Sequence, residues 1–228
     1  MDQTHTHPGL HAHREAYDRE LEAIQAGIVR MGSRVEEAIR SATAAMQAHD
    51  ADLAARVIAD DRRINEAQGE VVELITTTIA TQQPVARDLR YLLTLDRVAY
   101  ELERMGDHAG SVAKQVRKLA LEPPLRRYVF LPRMGELTSG MVHDVIAALV
   151  ETDEARARAV AARDDEVDRL YHASFDVVLD LMRQDPANVD RGTRILFAAH
   201  YLERIGDRVT NIAEDVLFLS GGVVEDLN

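Results

Sequence analysis

The chain has 228 residues with no cysteine, no tryptophan, six tyrosines and four phenylalanines, and its 39 acidic against 27 basic residues leave a formal charge of −12. Without cysteine there is no disulfide scaffold, thiolate zinc site or cysteine nucleophile, and so negative a chain is a poor general binder of nucleic acid, which needs clustered Lys and Arg. At 46% hydrophobic it is too apolar for a disordered chain, yet no apolar run approaches the roughly 20 residues of a membrane span and no signal-peptide core is visible, so a soluble, cytoplasmic protein is expected.

Ala, Leu, Arg and Glu dominate, and prolines stand only at 8, 84, 123, 124, 132 and 186. That pattern predicts an all-α protein of long helices. Residues 1–12, with His5, His7 and His11, read as a flexible tail; these histidines and His13 are transition-metal donors in type, but a disordered segment is the simpler expectation. Helices are then expected over 12–48, 51–80 and 86–120, and again over 130–151, 154–183 and 188–220. His49-Asp50-Ala51-Asp52 and Pro186-Ala187-Asn188 supply start signals. The clearest apolar seam runs Leu92, Leu95, Ala99, Leu102, Gly106, Ala109, Ala113, Val116, in alternating steps of three and four.

An internal repeat organises these elements. Leu102-Glu103-Arg104-Met105-Gly106-Asp107 returns as Leu202-Glu203-Arg204-Ile205-Gly206-Asp207 at a spacing of 100, which drifts upstream to 103 at Met31-Gly32 and Met134-Gly135. The fold expected is two tandem three-helix bundles, 13–122 and 123–228, stacked or joined end to end.

Four i, i+4 pairs could carry chemistry: Asp61 with Asn65, Glu103 with Asp107, Asp164 with Asp168, and Glu203 with Asp207. Like charges at that spacing destabilise a helix by roughly 0.2–0.5 kcal/mol, so an offsetting cation is expected. In an antiparallel hairpin, residues equidistant from the turn lie opposite each other. Asp61 and Asp107 mirror about Pro84, and so do Asn65 and Glu103; Asp164 with Asp207, and Asp168 with Glu203, mirror beside Pro186. Each unit therefore brings two pairs to one height on facing helices. Such oxygen clusters suit hard or intermediate cations: Mg²⁺, Mn²⁺, Ca²⁺ or Fe, with Zn²⁺ also admissible. The competing reading is solvated acids, or acids paired with Arg97, Arg104, Arg204 and Arg208.

Thr210, Asn211 and Glu214 extend the acidic face of the last helix where the first unit has Gly110, Ser111 and Lys114, and Asn65 replaces an acid in the first unit. Two unequal metal sites follow, the second stronger. Gly106 and Gly206 lie on the seams and are read as close helix packing, with room kept for an ion beside the following Asp as the alternative. His108, His143, His172 and His200 lack Glu-x-x-His spacing, which counts against a di-iron oxidase. No phosphate loop, nucleophile elbow or Ser/His/Asp arrangement is visible, so no catalytic or organic-cofactor residue is expected. A carboxylate-cluster metalloenzyme, oxidase or phosphohydrolase, remains the alternative function.

The tandem Leu-Glu-Arg-x-Gly-Asp segments, Gln83-Pro84-Val85-Ala86-Arg87-Asp88-Leu89-Arg90 and Met141-Val142-His143-Asp144-Val145 resemble the PhoU family over nearly the whole chain. The resemblance implies two PhoU domains in a non-enzymatic, cytoplasmic negative regulator of phosphate uptake and phosphate-starvation signalling. It implies an adaptor acting with the ATPase subunit of the phosphate ABC transporter and with a sensor histidine kinase, and leaves room for a homodimer. It further implies iron, zinc, magnesium or manganese at the acidic motifs, which fall by position on the four pairs above. Asn65 departs from the acidic pattern.

Overall fold

The computed structural model describes residues 8–125 and 130–221, together with Glu225 and Leu227. His5 and His7 lie outside the described residues. The chain forms helices α1 (Pro8–Ala48), α2 (Ala51–Gln82), α3 (Arg87–Leu119), α4 (Phe130–Glu151), α5 (Glu154–Ala161), α6 (Asp164–Gln184) and α7 (Val189–Gly221). A short 3₁₀ helix, Pro186–Asn188, precedes α7, and no strand occurs among the described residues. α1 starts at Pro8, four residues ahead of expectation and inside the stretch read as tail. A proline at the first helical position has no amide to leave unsatisfied.

The duplicated turns show how local sequence sets the element ends. His49 and Thr152 both take positive φ, 55° and 51°. Each is followed by an aspartate cap: Asp50 accepts the Asp52 and Leu53 amides, and Asp153 accepts the Arg156 amide.

The fifth expected helix is divided at Ala162-Arg163. There the Arg163 amide bonds the Val160 carbonyl (3.0 Å) and the Glu166 amide the Arg163 carbonyl (3.1 Å), which tightens one turn to 3₁₀ pitch. The Arg163 guanidinium donates to Asp144 of α4 (2.6 Å), which also accepts from Arg156 (3.0 Å). Gly140 makes room for it, since a Cβ there would stand 2.9 Å from the guanidinium. Desolvation is the largest single effect and raises the Asp144 pKa, but the hydrogen bonds and charges of the two arginines together outweigh it and hold the carboxyl below its ordinary value. Truncating it would remove the acid that joins Arg163 and Arg156 at the junction, leaving Arg156 its longer pair with Glu151 (3.6 Å). Asp144→Ala is expected to destabilise by roughly 1–3 kcal/mol, read in urea denaturation.

The two units lie side by side rather than end to end. α3 packs more extensively on α7 than on any other helix, and α1 also packs against α4. The reason lies in α3 itself, where Leu92, Thr94, Leu95, Val98, Leu102, Met105, Ala109 and Val112 are all buried, an arc too wide for one partner. α3 and α7 run antiparallel, joined by Arg208 to Glu101 (3.0 Å), Arg97 to Asp215 (3.2 Å), and a stack of His108 on Tyr201 (5.9 Å). The repeat makes this a pseudo-twofold interface. The shift of 100 carries Glu101 and Arg208 onto Tyr201 and His108. At the α1/α4 crossing a Cβ at Gly32 would overlap Ile146 and one at Gly135 would overlap Thr43, the same contact seen from each unit. One continuous core results, its large, fully buried side chains Ile, Leu and Met, as the low aromatic content requires.

Candidate functional site

Both hairpins bring acids from facing helices together, and the second does so more completely. Asp164 opens α6 directly after the 3₁₀ turn, with Asp168 one turn on; Glu203 and Asp207 face them from α7. With Asp165, Arg204, Arg208 and Asn211 they line a surface cavity of about 550 Å³. Asp164 is 7% exposed and its Oδ1 is buried without a hydrogen-bond partner. Burial first, then the charges of Asp168, Asp207 and Glu203, push its pKa up to about 7. Asp168 and Asp207 are also raised, each mainly by desolvation.

Gly206 gives Asp164 its seat. A Cβ there would overlap Asp164 Oδ1 and stand 3.6 Å from Val167. The close approach of α6 to α7 read from Gly206 in the sequence holds, and the group that the absent side chain admits against the α7 backbone is a carboxylate. At Gly106 packing holds as well, because a Cβ would meet Ile64 Cδ1 at 2.8 Å.

In the first unit the Asp61 carboxyl lies over Gly106 and Gly110, 3.6–3.9 Å from where their Cβ atoms would be. Its Oδ1 is likewise buried and unpartnered. Desolvation and then Asp107 raise the Asp61 pKa, while Lys114 lowers it. Desolvation and Asp107 also raise Glu103, opposed by Arg104. Asn65, one turn beyond Asp61, is exposed to solvent.

The arginines foreseen as competitors take part in both clusters. Arg104 reaches Glu103 (2.6 Å) and Asp107 (3.1 Å), and Arg204 reaches Glu203 (2.6 Å) and Asp207 (2.8 Å). Arg97 serves instead the contact between the units, and Arg208 serves both, pairing with Glu101 while lining the cavity and opposing the desolvation that raises the Asp207 pKa. Among the described residues no three carboxylates or histidines converge as a formed metal centre. The donor chemistry nonetheless fits a hard cation: all-oxygen, anionic, and with a buried orphan oxygen in each cluster. Glu214 stands apart, its carboxylate accepting the Leu227 amide (2.9 Å). Asp165 and Asn211 complete the cavity lining. Asn211, one turn beyond Asp207 and partly buried, lies on the face the sequence extends past that acid, whereas Asp165 is exposed and spacing does not single it out.

An all-α protein of two antiparallel-packed three-helix units, each with acids across its hairpin, is the class defined by fold and site. The PhoU domain family matches residues 28–116 and 131–216, and the chain belongs to the PhoU family. It is 37% identical over 216 residues to the phosphate-specific transport system accessory protein PhoU homolog of Clostridium acetobutylicum, covering 94% of this chain and 99% of that one. The homolog of Caulobacter vibrioides is 37% identical over 205 residues, 90% of this chain and 89% of its own. The crystal structure of PhoU from Pseudomonas aeruginosa superposes with a TM-score of 0.87 at 33% identity, over 91% of this chain and 100% of the other. The phosphate transport system regulatory protein PhoU from Streptococcus pneumoniae gives 0.86 at 28% identity, over 92% and 99%.

Proposed function

We propose that this chain is an accessory protein of phosphate transport, a cytoplasmic negative regulator of phosphate uptake and starvation signalling. The observation that carries this reading is the full-length match to relatives named as phosphate-transport accessory proteins. Those names describe accessory and regulatory proteins, not enzymes, and lend nothing to a metalloenzyme. No helix among the described residues is long and apolar enough to cross a membrane. The protein then works through partners: the ATPase subunit of the phosphate ABC transporter and the sensor histidine kinase of the phosphate response. The experiment is a deletion strain carrying a phosphate-starvation reporter. Derepression in high phosphate is expected, and unchanged output would refute the assignment.

Within this reading the acidic clusters bind a divalent or iron cation, and the bound cation would supply positive charge at the Oδ1 atoms of Asp164 and Asp61, which lack a hydrogen-bond partner. Asp164, Asp168, Glu203 and Asp207 would hold it in the second unit, and Asp61, Glu103 and Asp107 in the first. Arg204 and Arg104 keep the acids compensated in its absence. The domains proposed are 13–122 and 123–228. Because the second cluster has four acids against three, Asp207→Asn should lower metal content, measured by elemental analysis of untagged protein, more than Asp107→Asn. Equal loss from both would show the sites to be equivalent. Acid should release the metal, since carboxylates ligate only when ionised.

A further inference from the structure

The second unit carries an exposed ring surface that the first lacks. Phe175 and Tyr171 of α6, His200, Tyr201 and Phe197 of α7, and His108 of α3 follow one another ring to ring, with centroids 5.8–6.5 Å apart. Four of the chain's ten aromatic residues are gathered here. Phe175 is 39% and Phe197 48% exposed. The fold does not demand these rings. The repeat shift of 100 puts Arg97 and Glu101 where Phe197 and Tyr201 stand, and both of those serve as ion-pair partners of α7. One pseudo-twofold interface thus tolerates either chemistry, and an apolar cluster left facing water marks an interaction surface.

The patch runs into the acidic cavity. His200 Nδ1 lies 3.5 Å from Glu203 Oε2, and five carboxylates line that cavity (Asp164, Asp165, Asp168, Glu203, Asp207) against two guanidiniums. We propose that this face docks a segment of a partner protein in which an apolar or aromatic side chain sits beside Arg or Lys. The apolar group covers Phe175 and Phe197, and the cation stacks on a ring or enters the cavity mouth. A second copy, itself at −12, is the poorer electrostatic match. The proposal rests on the accessory-protein reading only for the partner's identity.

The test incorporates a photo-crosslinking phenylalanine analogue at Phe197 and, as control, at Leu74, an exposed apolar residue of α2 (37%), in cells of the host. The expected result is crosslinking from Phe197 alone, mapped by mass spectrometry to a segment bearing Arg or Lys beside an apolar residue. If that segment belongs to the transporter ATPase or the kinase, both readings stand. If it belongs to another protein, the surface stands and the assigned partners fall. Crosslinks to a second copy, equal labelling from both positions, or none from Phe197 would overturn the proposal. With the captured partner purified, Phe175→Ser/Phe197→Ser should weaken binding at least tenfold in calorimetry while leaving the melting temperature unchanged. Unaltered affinity would likewise overturn it.

Discussion

Asp164→Asn should stabilise the metal-free protein at pH 8 by roughly 1–3 kcal/mol and abolish stabilisation by added Mn²⁺ at the second site. Asp164 is buried, unpartnered at Oδ1, and its pKa lies at about 7 against an ordinary 3.8. An acid whose pKa is higher in the folded chain binds its proton more tightly when folded. Its contribution therefore favours folding below about pH 4 and is lost as pH rises through about 7. The helix N-terminus at which it sits favours the ionised form and trims the effect, hence an estimate of roughly 1–3 kcal/mol rather than the larger value an undiminished shift would imply.

Other groups titrate in the same range. Asp215, raised to about 6 chiefly by burial, acts in the same direction. His108, lowered by burial and by Arg208, acts oppositely as pH falls below its ordinary 6.5. The difference between wild type and Asp164→Asn cancels both. The measurement is thermal denaturation in chelator, and again in Mn²⁺, at pH 5, 6, 7 and 8. In chelator the two proteins should converge toward pH 5 and separate toward pH 8, with the variant the more stable. In Mn²⁺ the order should invert. A variant less stable than wild type at every pH, with or without metal, would mean that the Asp164 carboxylate is already compensated within the protein.

The facing of Asp61 on Asp107, and of Asp164 and Asp168 on Asp207 and Glu203, was legible in the chain because an antiparallel hairpin leaves little freedom. Once Pro84 and Pro186 mark the turns, distance along the sequence sets height on the helix. The Asp50 cap was readable for the same reason, being local. What could not be read depends on distant groups. Ala162-Arg163 holds neither glycine nor proline, and the 3₁₀ turn there accompanies the reach of Arg163 across Gly140 to Asp144. Side-by-side docking rests on the breadth of the apolar arc of α3, which a seam drawn through its best positions understates. Asn65 and Glu214 were proposed by register with the acids, and one faces solvent while the other binds the Leu227 amide. The role of Gly206 required knowing where the Asp164 side chain ends, which is a property of the opposite helix.

Three glycines in helices should answer alanine in opposite ways, although propensity alone ranks them alike. Gly→Ala inside a helix gains about 1 kcal/mol where there is room. Gly69 of α2 has nothing within 4 Å of its built Cβ, so Gly69→Ala is expected to stabilise by roughly 0.5–1 kcal/mol. At Gly135 the new atom would strike Oγ1, Cγ2 and Cβ of Thr43, which is buried and bonded to the Ile39 carbonyl (2.8 Å). A β-branched side chain so held cannot turn aside, and α1 must move from α4. Gly135→Ala should therefore destabilise by about 1–3 kcal/mol despite the propensity gain. Gly206→Ala meets the end of the Asp164 side chain, which can swing, so the loss should be smaller in stability and appear instead as lost metal content. Urea denaturation of the three variants, with elemental analysis of the third, separates a helix-crossing glycine from a carboxylate seat. If Gly135→Ala proves as stable as Gly69→Ala, the α1/α4 crossing is not the tight contact that the pseudo-twofold pairing of Gly32 with Ile146 and Gly135 with Thr43 describes.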